Sequence, residues 1–156
     1  MPAEKLYESR WGVFNHYLYG TMMDGKSASW NDCVNALDCG VTAKQLHEIG
    51  ASYLFITLMQ GDEHMIAPNR TFDAVAGTRP GEACAERDLV SDLSEALGKY
   101  GIDLYLYYTG DGPYKNTEIG KKFGFIEPRK NVSMGFVRKW AGVLEEYAVR
   151  YGKKVS

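Results

Sequence analysis

Residues 52–59, SYLFITLM, decide the fold of this chain. The run holds no charge and no Gly or Pro, and Gly50 and Gly61 bound it. Apolar side chains on both alternating faces of so short a stretch describe a strand covered on both sides. That is the habit of parallel sheets rather than of half-exposed hairpins. Two further stretches read the same way: Gly12 to His16, and DLYLYY from Asp103 to Tyr108.

Helical signals fill the spaces between them. Thr42-Ala43-Lys44-Gln45 has the form of a capping box, Leu46 and Ile49 supply an apolar side, and Gly50 ends the turn. Arg87 to Tyr100 carries Leu89, Leu93 and Leu97 at helical spacing before Gly101. In the last stretch Phe136, Trp140, Val143, Leu144, Tyr147 and Tyr151 form one stripe, closed by Gly152. Strand and helix therefore alternate three times, which predicts right-handed βαβ units on a parallel sheet: an α/β fold in one domain, residues 1–156. A length of 156 residues suits a single domain with a proper core. Three long loops, Tyr17 to Cys39, Gln60 to Glu86 and Thr109 to Asn131, each leave a strand and enter a helix. Loops at that end of a parallel sheet are where such folds keep their sites.

Composition removes several functions. Net charge is −2 with acids and bases interspersed, so nothing favours nucleic acid or an anionic membrane surface. No apolar run approaches membrane-spanning length, and no signal-peptide pattern opens the chain. A soluble protein is expected, cytoplasmic or secreted with its signal removed. Cys33, Cys39 and Cys84 are too few and too irregular for a disulfide framework or a zinc ribbon. A Cys33–Cys39 bridge and three free buried thiols are the alternatives. No GxGxxG or GxxxxGK(S/T) phosphate loop and no GxSxG elbow is present, so no cofactor is expected. Aromatic content is high, with 11 Tyr and 3 Trp, and serves core, interface or carbohydrate platform equally well.

The candidate site residues follow from the strand ends. His16 ends the first strand, either as a satisfied core histidine or as one wall of a site. Tyr17, Tyr19 and Trp30 either stack on a sugar face or are plain packing at the rim. The second strand opens into Gln60-Gly61-Asp62-Glu63-His64, a solvated loop tip or a polar site. No metal is expected there, because three consecutive residues need a contorted turn to point at one ion. The third strand gives Tyr107-Tyr108-Thr109-Gly110-Asp111-Gly112, where Asp111 reads first as a turn former.

These segments resemble, in order, those of glycoside hydrolase family 29, the α-L-fucosidases. RWGVFNHYLYG, residues 10–20, is similar to that family's R-F-G-x-F-x-H-W-G strand. AKQLHEIGASYLFITL resembles its A-K-x-A-G-A-K-Y-x-x-L-T-x-K-H-H-D-G-F stretch. Arg87-Asp88-Leu89-Val90, GKYGIDLYLYYT and FVRKWAGVLEEYAVRYG resemble the units that follow. The resemblance implies a partial (β/α)8 barrel, the first three βα units, from the N-terminal part of a retaining hydrolase acting on O-glycosyl bonds. It implies that His16 hydrogen-bonds a sugar hydroxyl, with Tyr17 in place of the family's Trp. The family's His-His pair falls on Gln60-Gly61 and its aspartate on Asp62. The family nucleophile sits in a W-F-D-G motif on the fourth strand, so this polypeptide is expected to lack it and to be inactive alone. The expected sugar-binding set is His16, Tyr17, Gln60, Asp62, Tyr108 and Trp30. Expected partners are carbohydrate, a second copy, or the missing barrel half. A non-catalytic carbohydrate-binding or assembly module is the alternative.

Overall fold

The computed structural model describes residues 2–20, 28–127 and 131–155. Residues 21–27 of the first long loop and 128–130 of the third lie outside the described residues. Three parallel strands, β1 (Val13–Asn15), β2 (Tyr53–Met59) and β3 (Asp103–Tyr108), form one sheet in the order β1-β2-β3. Phe14 stands opposite Phe55, and Phe55 opposite Tyr105. The chain passes from β1 to β2 through α2 (Trp30–Ala36) and α3 (Cys39–Glu48). It passes from β2 to β3 through α4 (Arg70–Ala76) and α5 (Leu89–Gly98). After β3 come α6 (Thr117–Phe123), the antiparallel pair β4 (Phe125–Glu127) and β5 (Asn131–Val132), and the long α7 (Met134–Tyr151). A short helix, α1 (Pro2–Glu8), precedes β1.

One sheet face is buried. Leu54, Ile56, Leu58 and Leu104 join Ala43 and Leu46 of α3 and Leu93 and Leu97 of α5 in a single cluster. The other face carries Phe14, Tyr53, Phe55, Tyr105 and Tyr107, which lock together edge-to-face and by stacking. The sequence predicts strands covered on both sides; instead Phe14 is 48 % exposed and Tyr53, Phe55 and Tyr107 are half-buried. β1 also reaches its partner closely: a Cβ on Gly12 would lie 2.3 Å from the Tyr53 carbonyl oxygen.

The long loops are more structured than the sequence suggests, since each contains a seven-residue helix. Local side chains start them: Ser29 and Asp32 form a capping box on α2, Asn69 caps α4, and Asn116 caps α6. Distant side chains finish them. Glu146 of α7 accepts the Arg70 and Thr71 backbone N–H groups at the start of α4. Arg87 donates to the Val34, Asn35 and Leu37 carbonyls at the end of α2. Helix α3 starts earlier than the Thr42 capping box predicts, because Asp38 accepts from the Val41 N–H and takes the cap. On α7, Phe136, Trp140, Val143, Tyr147 and Tyr151 are buried, as their stripe predicts, while Leu144 is half-buried. All three cysteines are free and buried.

Candidate functional site

The C-terminal ends of β1 and β2 bring two polar side chains together. His16 is exposed one residue past β1, and its Nδ1 lies 2.6 Å from Gln60 Oε1, one residue past β2. A carbonyl oxygen only accepts, so Nδ1 donates, and in that tautomer Nε2 is left as an acceptor. Phe14, with its centroid 4.4 Å away, and Tyr107, 6.0 Å away, flank the imidazole. The pair therefore presents one hydrogen-bonding edge beside apolar ring faces.

The floor beneath is fixed by two loops. Gly61 has φ +80°, and a Cβ there would press within 2.8 Å of the Tyr114 ring. Its N–H bonds Thr109 Oγ1 at 3.2 Å, and its carbonyl accepts the Lys115 N–H at 2.6 Å. The turn after β2 is thereby held to the loop after β3.

Tyr17 does not join His16. Its hydroxyl donates to the Cys33 carbonyl at 2.6 Å, its ring packs on Trp30, and it is buried. Burial, reinforced by Cys33, pushes its pKa up to about 12. The reason is alternation: neighbouring residues of an extended chain point to opposite sides. Thr57 fixes that choice, since its Oγ1 accepts the Tyr17 N–H and donates to the Tyr17 carbonyl. Trp30 is likewise a pillar rather than a platform, 4 % exposed, with Nε1 donating to the Met65 carbonyl at 2.7 Å. Tyr108 faces away, into a cavity of about 300 Å³ shared with Leu58, Leu106, Leu144, Tyr147 and Tyr151. Its neighbour Tyr107 takes the place beside His16. The same period-2 rule, counted on from Phe55 and Tyr105, points to Tyr107 from sequence.

Asp62 spends Oδ1 on the backbone N–H of His64 at 2.9 Å. The ring of His64 stacks on Tyr19 with centroids 4.2 Å apart and meets Trp30 edge-on at 5.5 Å. Consecutive residues here are expected to diverge. The loop instead brings one donor atom from each of Asp62, Glu63 and His64 within 4.8 Å of the others. The tight turn at Gly61 and the Asp62–His64 backbone bond achieve the convergence.

The chain matches no protein-family model and no curated protein. Among solved structures it is similar to an α-L-fucosidase of glycoside hydrolase family 29 from Bacteroides thetaiotaomicron. The two share 21% identity at a TM-score of 0.62, over 99% of this chain and 39% of that one. A bacterial fucosidase solved with a pyrrolidine-triazole inhibitor gives 21% identity and 0.61, over 98% and 38%. A Thermotoga maritima α-fucosidase gives 17% and 0.55, over 91% and 45%. The likeness is one of fold. Over nearly its whole length the chain folds like part of these fucosidases, and it spans about two fifths of their length. Among the described residues, no helix is long and apolar enough to cross a membrane.

Proposed function

We propose that residues 1–156 are the N-terminal part of a fucosidase-like retaining glycoside hydrolase, comprising the first three βα units of a (β/α)8 barrel. His16 and Gln60 form part of its sugar pocket. The observation that carries this reading is their 2.6 Å contact at the C-terminal ends of adjacent parallel strands. Barrel enzymes hold their substrates at that end, and the likeness in fold to the fucosidases supports the class. A whole barrel takes about 250 residues, and three strands supply only a sector of it. His16 Nε2 accepts a sugar hydroxyl, Gln60 orients the imidazole, and Phe14 and Tyr107 meet the C–H face. Retaining hydrolysis needs two carboxyl groups about 5 Å apart. In that family the nucleophile belongs to a fourth strand, so the part proposed for these three βα units is sugar binding.

Saturation-transfer NMR with L-fucose tests the reading. Transfer to the sugar is expected with the wild type, and its loss with His16→Ala or Gln60→Ala but not with Tyr108→Ala. An aryl α-L-fucoside should survive incubation with the chain. Absence of transfer overturns the pocket, and turnover that scales with protein concentration overturns the partial site. Assembly is a second reading, favoured by the open edge of β3 beside the Leu106–Leu144 cavity. The edge can pair with a second copy or with the rest of a barrel.

A further inference from the structure

We propose that Asp62, Glu63 and His64 bind a divalent cation of the zinc type at the C-terminal end of the sheet. This inference is independent of the sugar-pocket reading. Three features of the loop point to it. One donor atom from each residue lies within 4.8 Å of the other two, so a small side-chain adjustment brings all three to a single ion. Asp62 Oδ1 and His64 Nδ1 are 3.5 Å apart. No hydrogen bond joins them, since His64 Nδ1 has no such partner. Bonds of about 2.0–2.2 Å to a tetrahedral ion place two ligands about 3.3–3.6 Å from each other, so the spacing suits joint coordination. Nδ1 is moreover shut away from solvent, and a buried ring nitrogen without a partner is a cost that a cation removes.

The imidazole is also held in place before any ligand arrives. Tyr19 stacks on one face, Trp30 abuts it edge-on, and Trp30 is itself tied to the Met65 carbonyl. Asp62 is held by the His64 N–H. Such outer contacts orient metal ligands and raise affinity. The Asp62 side chain remains 30% exposed, which leaves an entry path from the carboxylate side. The donor set selects the ion class. Calcium and magnesium take oxygen ligands, whereas one imidazole with two carboxylates is a set that zinc accepts. Three protein ligands leave a fourth position open to water or to a substrate oxygen.

Calorimetric titration of the chelator-stripped chain with zinc chloride near neutral pH tests the site. One equivalent is expected to bind. Asp62→Asn keeps an oxygen for the His64 N–H, so the loop should fold, and it should weaken binding by more than about tenfold, the loss expected on disturbing such a site. His64→Ala should abolish binding, and His47→Ala, on an exposed helix face, should leave it unchanged. In the wild type the His64 ring nitrogens should shift on zinc addition in NMR spectra. Cobalt substitution should give visible bands without thiolate charge transfer. Failure to bind one equivalent, binding that Asp62→Asn leaves intact, static His64 resonances, or a cysteine–cobalt signature would each overturn the proposal.

Discussion

His16 and Tyr17 are adjacent, and the sheet sends them opposite ways. His16 reaches Gln60 across the strand ends, while Tyr17 drops its hydroxyl onto the Cys33 carbonyl. The first half of that arrangement is legible in sequence, because strand C-terminal ends gather polar residues wherever they lie in the chain. The second half needs the side each residue faces, which alternation supplies only once the strand's exact end is known. Here the end is set by Thr57, whose hydroxyl replaces the backbone pairing that would have continued β1. Tyr17 should therefore behave as a core residue. Its folded pKa is raised from 10.0 to about 12, so the unfolded chain releases the proton first. The stabilisation from neutral Tyr17 is full below pH 10 and is lost as pH climbs towards 12, at about 1.4 kcal/mol per pH unit. Burial raises Tyr147 and Tyr151 in the same direction. Denaturant unfolding across this range should show steep alkaline loss of stability. Tyr17→Phe should make it shallower while costing about 1–3 kcal/mol at neutral pH, because the Cys33 carbonyl loses its donor. A variant with unchanged stability but no sugar binding would return Tyr17 to the pocket.

At the scale of elements, α7 is readable because its pattern is long and repeated, and the three strands because each is a short apolar run beside glycine. Phe136, Trp140, Val143 and Tyr147 need no tertiary knowledge to fall on one stripe. The helices α2, α4 and α6 resist such reading, since seven residues hold barely two turns and isolated helices so short are unstable. Partners distant in sequence sustain them: Glu146 for α4 and Arg87 for α2. The α2 cap is also disguised, with Asp32 where Glu or Gln is the usual signal. Glycines separate packing from propensity in the same elements. Gly12→Ala would drive a Cβ to 2.3 Å from the Tyr53 carbonyl oxygen and ring, prising β1 from β2. A loss of about 1–3 kcal/mol is expected, seen as a lower thermal midpoint. Gly98→Ala, at the end of α5 with nothing within 4 Å, should instead gain up to about 1 kcal/mol. Equal effects from the two substitutions would contradict the close approach of β1 and β2.

At the largest scale, among the described residues, the deciding feature is a three-stranded parallel sheet with β1 and β3 at its edges. Parallel sheets persist where both faces and edges are covered, and here Phe14 on one face is 48% exposed. The edge at β1 is only three residues long, whereas β3 offers six. Beside β3 lies the apolar cavity lined by Leu58, Leu106, Tyr108, Leu144, Tyr147, Tyr151 and Val155. Water can satisfy the exposed N–H and C=O groups of an edge strand, but it cannot cover the leucines next to them. A net charge of −2 supplies little repulsion between copies. Sedimentation velocity at tens of micromolar, roughly the range where weak association registers, should therefore find species larger than the 17.5 kDa chain. Tyr108→Lys places a charge on the end of β3, at a position already 41% exposed, and should shift the population towards monomer with little change in thermal stability. A wild type that sediments as a compact monomer would mean that the β3 edge needs no partner. A Tyr108→Lys variant that associates as strongly as the wild type would move the contact to the Phe14 face instead.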